Sequence, residues 1–261
     1  MPDSEIAGAV SVEVSFMRRF RPTSERVPVP PRTYGTWTRA VQAFAAAACL
    51  TFAWAFAAPE QVALGAPGEA DRPIKIVALG DSLSAGLGLP AEQSFPAKLA
   101  KALRAHGDNV EMINAGVSGD TASDGAARLD WSVPDGIDAV IVELGANDAL
   151  RGIDPKVTRA ALADILERLQ QRHIPVLLAG MRAPRNMGAS YTQAFDAIFP
   201  ELAMKYGVLL YPFFLDGVAA DPALNQPDGI HPTPAGVDVI VSRMLPKIEE
   251  LMARVRATRG P

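Results

Sequence analysis

Short apolar runs and longer amphipathic stretches alternate along most of this chain. Ile74 to Leu79, Val110 to Ile113, Ala139 to Leu144, Val176 to Ala179 and Val208 to Tyr211 have the length and the aliphatic or β-branched character of buried strands. Gln93 to His106, Thr121 to Leu129, Lys156 to Arg172, Tyr191 to Tyr206 and Pro234 to about Arg256 carry helical patterns. In the third of these Leu162, Ile165, Leu166 and Leu169 share one face, and Asp154 ahead of Pro155 supplies a cap and a first-turn residue. Strand followed by helix, repeated along the chain, predicts an α/β fold with a five-stranded parallel sheet covered on both faces.

That order gives the polar motifs their positions, because binding sites in open parallel sheets lie beyond the carboxyl ends of the strands. Ser82, in Gly80-Asp81-Ser82-Leu83-Ser84, follows the first strand, and Gly119 lies in the loop after the second. Asn147, in Gly145-Ala146-Asn147-Asp148, follows the third, while Asp228 and His231 precede the last helix. A serine nucleophile needs a base, the base an orienting acid, and the transition state donors for its oxyanion.

Each part has a candidate. Of the three histidines, His106 and His173 end helices, where the helix dipole favours a cation. His231 instead stands three residues after Asp228 and just before Pro232, which biases it away from helical geometry, with Thr233 and Pro234 as cap and first helical residue. Asp228 can accept a bond from one ring nitrogen and leave the other free to take the serine proton. Ordinary turns account equally well for Asn147-Asp148 and for the glycine-rich stretch Asn114 to Thr121. The functional alternative is that the Asn147 amide and the N–H groups of Gly119 and Ser82 are oxyanion donors.

Composition then narrows the class. At 49% hydrophobic and 21% charged residues the chain has the makeup of an ordinary globular protein. Residues 1–39 carry six arginines, and Ala40 to Ala58 is apolar and Ala-rich, which reads as an export leader with a small-x-small site at Ala55-Phe56-Ala57. Residues 1–58 are therefore expected to be a cleaved signal, 59–72 a linker and 73–261 one domain, exported to the periplasm or secreted. An uncleaved anchor over 40–58 is the alternative. Cys49, the only cysteine, lies within the leader, so the mature domain has no disulfide or thiolate chemistry. From residue 59 onward 19 Lys and Arg face 25 Asp and Glu, a formal charge of −6 that argues against nucleic acid as a partner. No stable membrane insertion of the mature domain is expected.

The four ordered blocks, Gly80 to Ser84, Ser118-Gly119-Asp120-Thr121, Gly145 to Asp148 and Asp228-Gly229-Ile230-His231-Pro232, together resemble the SGNH, or GDSL, hydrolase superfamily. Over roughly residues 73 to 255, with Leu150-Arg151-Gly152 after the third block, the chain is most similar to its bacterial periplasmic thioesterase I, lysophospholipase and arylesterase branch. The resemblance implies a flavodoxin-like three-layer α/β/α sandwich and a Ser82, His231, Asp228 triad. It also implies an oxyanion hole of Ser82 N–H, Gly119 N–H and Asn147, and neither a metal nor an organic cofactor. Leu87 stands where relatives often have tyrosine, and Ala146 where they have a second glycine.

The expected activity is hydrolysis of carboxylic esters, and of acyl thioesters, through an acyl-enzyme, with a small acyl or aryl ester as substrate. Lysophospholipase or carbohydrate O-deacetylase activity is the enzymatic alternative, and a periplasmic ligand-binding module the non-enzymatic one. A nucleotide site is disfavoured, since no lysine stands at the phosphate-binding spacing and Gly80 to Gly88 does not fit G-x-G-x-x-G. Leu87, Met187, Phe213 and Phe214, with Leu215, are the candidate pocket residues, and buried core is the alternative reading for the paired phenylalanines.

Overall fold

The computed structural model describes residues 72–259; the leader expected over 1–58, and the linker 59–72 apart from Arg72, lie outside the described residues. Five strands, β1 (Ile74–Gly80), β2 (Val110–Gly116), β3 (Ala139–Glu143), β4 (Val176–Ala179) and β5 (Leu209–Tyr211), form one sheet in the order β2-β1-β3-β4-β5. Every pairing is parallel. All five residues of β3 are buried, Glu143 included, as expected of a strand covered on both faces.

Nine helices connect or follow the strands among the described residues. They are α1 (Ser82–Ala85), α2 (Phe95–Ala105), α3 (Ala122–Ala127), α4 (Leu129–Ser132), α5 (Ala146–Leu150), α6 (Pro155–Gln171), α7 (Ala189–Asp196), α8 (Ile198–Tyr206) and α9 (Pro234–Arg259). The chain moves one way from β1 to β2 and the other way from β2 through β5, so right-handed crossovers put α2 on one face and α3, α6 and α8 on the other. Helix α9 packs on α2, β4 and β5 and completes the first layer, while α6 packs on α3 and α8. Among the described residues no helix is long and apolar enough to cross a membrane.

Two differences from the expected elements have visible causes. The stretch Tyr191 to Tyr206 is two helices with the break at Ala197. Pro200 has no N–H to donate to Asp196, and its ring crowds that carbonyl, which is where a proline breaks a helix. The stretch Thr121 to Leu129 divides at Arg128, whose buried guanidinium turns back to Gly80 O (2.8 Å), Asp120 (2.5 Å) and Ser132 Oγ (2.9 Å). That arginine holds the carboxyl end of β1. At the opposite end of the sheet, Asp138 accepts from Arg72 at 2.8 Å, Lys75 N at 2.8 Å and Arg259 Nη2 at 2.6 Å, joining the chain's two described ends. Burial opposes the Asp138 charge, but the two guanidiniums and the N–H together hold its carboxyl below the usual range.

Replacing Asp138 by Ala strands two guanidiniums in a part-buried site and is expected to cost about 3 kcal/mol in urea unfolding. Lys247→Ala, which removes an exposed pair with Glu250, should change stability by less than about 0.5 kcal/mol.

Candidate active site

Gly80 is in register with Gly116 on one side and Glu143 on the other, so β1, β2 and β3 end at one level and their loops open on the same rim. The crevice lies where the chain reverses direction across the sheet, between β1 and β3. Asp81 caps α1 by accepting from Leu83 N at 3.0 Å, which lifts Ser82 into the first turn of a one-turn helix. The end of β2 lies hard against this turn: a Cβ at Gly116 would collide with Ala85 N and Asp81 O.

Helix α5 carries Asn147 and is anchored from beneath by Asp148, fully buried, which accepts from Ala122 N and Thr158 Oγ1 at 2.8 Å each. Asn147 Nδ2 donates to Asp81 Oδ2 at 3.1 Å, and Arg151 Nη2 donates to Gly119 O at 2.6 Å. Gly119 has φ +90°, a left-handed conformation strained for any residue with a side chain. Its N–H donates to no group among the described residues.

The loop before α9 is pinned on both sides of His231. Gln226 N donates to His231 O at 2.7 Å, Gln226 Nε2 to Leu87 O at 2.8 Å, and Thr233 N to Leu224 O at 2.8 Å. Asp228 Oδ1 accepts from Ile230 N and His231 N, and Asp228 Oδ2 lies 2.6 Å from His231 Nδ1. The other ring nitrogen, Nε2, is 2.9 Å from Ser82 Oγ. The structure thus brings Ser82, His231 and Asp228 into one line of hydrogen bonds, with Gly119 and Asn147 beside Ser82 in the same cleft. The other two histidines are elsewhere: His106 caps α2 and faces Glu249 at 3.5 Å, and His173 is exposed in a left-handed turn just beyond α6.

Three carboxylates around the serine have different environments. The Ile230 N–H, the His231 ring and the His231 N–H hold Asp228 down to about 2, so it stays ionised beside the imidazole. Its native value is below its unfolded one, so its contribution to stability is present above about pH 4 and fades as pH falls toward 2. Burial pushes Asp81 up to about 6, against the Leu83 N–H and the Asn147 amide. Burial, with the neighbouring Asp81 charge, raises the Glu143 carboxyl well above its ordinary value. Its Oε2 accepts from Ser84 Oγ at 2.7 Å, Ser84 N at 3.2 Å and Asp81 N at 3.4 Å. All three donors meet Oε2, and the buried Oε1 has no partner among the described residues.

The cleft holds about 780 Å³ and is walled largely by apolar side chains, including Leu87, Met181, Phe213, Leu215 and Ile230. Two expected pocket residues are not in it. Phe214 is fully buried and meets Phe95 edge-on at 5.0 Å, because its side chain turns into the core. Met187 lies with its methyl over Gly152 and does not line the cleft. Residues that the motifs did not single out include Arg182 and Glu143. The signal for Glu143 was present, as the only charge within the run Ala139 to Leu144.

Residues 78–239 match the GDSL-like Lipase/Acylhydrolase family. The chain is 43% identical over 164 residues to the arylesterase of Vibrio mimicus, covering 61% of this chain and 80% of that protein. It is 38% identical over 178 residues to thioesterase 1/protease 1/lysophospholipase L1 of Escherichia coli (strain K12), covering 68% and 84%. Among solved structures it is similar to AlinE4, an SGNH-hydrolase family esterase, at 51% identity and a TM-score of 0.59, covering 69% of this chain and 96% of that one.

The raised Asp81 gives a stability effect opposite in sign to that of Asp228. A carboxyl whose native value exceeds its unfolded one loses stability as pH rises between the two. Asp81→Asn should therefore gain stability relative to the wild type between pH 4 and 7, read by urea unfolding at each pH. Glu143→Gln, which keeps an acceptor for Ser84 without a buried charge, is expected to stay within about 1 kcal/mol of the wild type, whereas Glu143→Ala, which leaves Ser84 unpaired, should cost about 2 to 3 kcal/mol.

Proposed function

The chain belongs to the GDSL-like Lipase/Acylhydrolase family and is a serine esterase, and on that premise we propose that Ser82, His231 and Asp228 are its catalytic triad, with Ser82 N–H, Gly119 N–H and the Asn147 amide as its oxyanion hole. The observation that carries this reading is the continuous line of bonds from Asp228 Oδ2 through the His231 ring to Ser82 Oγ, at 2.6 and 2.9 Å.

His231 Nε2 takes the Ser82 proton as Oγ attacks the ester carbonyl, and Asp228 fixes the tautomer and stabilises the imidazolium that forms. The oxyanion meets donors already in place, so little reorganisation is needed when charge develops. Collapse expels the alcohol or thiol, which takes the proton from His231 and leaves Ser82 acylated. Water, deprotonated by the same imidazole, then releases the acid. The apolar cleft accepts the acyl or aryl portion of a small-molecule ester. The names of the Vibrio and Escherichia relatives support aryl esters and acyl thioesters as the substrates to try first. The basic and apolar segments of residues 1–58 support export of the domain, to the periplasm or beyond.

Ser82→Ala is expected to bring hydrolysis of p-nitrophenyl acetate close to background; near-normal turnover in that variant refutes the triad. Asn147→Ala should lower kcat by about 10²- to 10³-fold with KM little affected, the mark of a donor used mainly in the transition state. Edman sequencing of the protein recovered from the periplasmic or culture fraction should begin near residue 58 or 59. A product retained in the membrane with residues 40–58 intact would instead make that segment an anchor.

A further inference from the structure

One cation in the cleft wall pairs with no carboxylate among the described residues. Arg182 lies between Met181 and Ala183, both 3% exposed, so its backbone is fixed by the core on either side while its own side chain faces out. Ala183 N is further tied to Asp196 Oδ1 at 2.9 Å. The Arg182 guanidinium carbon stands 4.9 Å from the centroid of the Phe213 ring, and both residues line the cleft that contains Ser82.

Among the described residues, every other arginine donates to a carboxylate, a side-chain oxygen or a backbone carbonyl. The two that share the cleft region follow this rule: Arg185 pairs with Asp196 at 3.2 Å, and Arg151 is held by Gly119 O and Asn147 Oδ1. Arg182 has the ring and nothing else. In an acidic domain a guanidinium beside an apolar wall would gain from a carboxylate neighbour, yet Arg182 pairs with none among the described residues, its one contact being the Phe213 ring. The contact with the Phe213 ring leaves the N–H fork unused, and that fork matches the paired oxygens of a phosphate or carboxylate.

We infer that Arg182 is a specificity-determining residue that binds an anionic group, a phosphate or carboxylate, on the portion of the ester substrate lying along Phe213. This rests on the esterase reading above and deepens it: the acyl-enzyme chemistry needs no such cation, whereas an anionic leaving group does. Two sources carry the same chemistry, the phosphates of a phosphorylated thiol carrier and the phosphodiester of a lysophospholipid.

Matched substrate pairs test the inference: decanoyl-coenzyme A against decanoyl-N-acetylcysteamine, and monodecanoyl lysophosphatidylglycerol against monodecanoylglycerol. In each pair the acyl group is constant and only one member is anionic. Arg182→Gln is expected to lower the ratio of kcat/KM, anionic over neutral, by about tenfold or more in at least one pair, with Arg182→Lys recovering part of it. The wild-type ratio in that pair should fall as salt rises from 20 mM to about 500 mM. The pair that responds identifies the source of the anion. Ratios within twofold of the wild type in both pairs overturn the inference, as does an equal loss on both members of each pair. A wild type inert on all four substrates and on p-nitrophenyl acetate sinks the esterase reading itself, and this inference with it.

Discussion

The register of three strand ends underlies everything else in this protein. Because Gly80 pairs laterally with both Gly116 and Glu143, the turns that follow β1, β2 and β3 begin at the same height. Each turn then needs only a few residues to put Ser82, Gly119 and Asn147 around one point. The approach is close enough that a side chain at Gly116 would strike the backbone of the Ser82 turn, and the Gly80 carbonyl is held by the buried Arg128. A rigid sheet edge thus does the positioning, and the loops contribute chemistry. The exception is the Asp228 to His231 loop, which comes from outside the sheet and is fastened to the Leu87 and Leu224 carbonyls instead.

Electrostatics divides the carboxylates near the serine into two kinds. Asp228, half-exposed and surrounded by donors, stays ionised beside His231. Asp81 and Glu143 lie under the Ser82 turn, both fully buried, where two negative charges would repel at close range without water. Both carboxyls are raised, Glu143 under complete burial beside the Asp81 charge, while Asp81 accepts from α1 and from Asn147. The same carboxylate that caps α1 therefore also holds the Asn147 amide. A single buried Asp couples two parts of the site that are far apart in sequence.

Much of this was legible in the chain before any coordinates. The five apolar runs became the five strands, since a parallel strand buried on both faces has no polar face to disguise it. The four motif blocks fell at one rim because strand ends fix where loops begin. What was not legible depended on parity and on distant partners. Phe213 and Phe214 are indistinguishable by composition, yet one lines the cleft and the other packs on Phe95, and only the backbone path decides which. Met187 looked like pocket lining because of its loop, but that loop places it over Gly152. The two-helix split at Ala197 was encoded by Pro200, a breaker sited four residues past the bond it removes. Arg182 carried no motif at all; its isolation from carboxylates exists only in three dimensions.

The most direct test of the central claim is intact-protein and peptide mass spectrometry after exposure to a fluorophosphonate ester. Such a reagent phosphonylates a serine only where a base removes the hydroxyl proton and donors receive the developing oxyanion. One adduct per chain is expected, located on the peptide that contains Ser82, absent in Ser82→Ala and formed far more slowly in His231→Ala. An adduct that persists in Ser82→Ala, or labelling of native protein at a rate indifferent to His231, would contradict it.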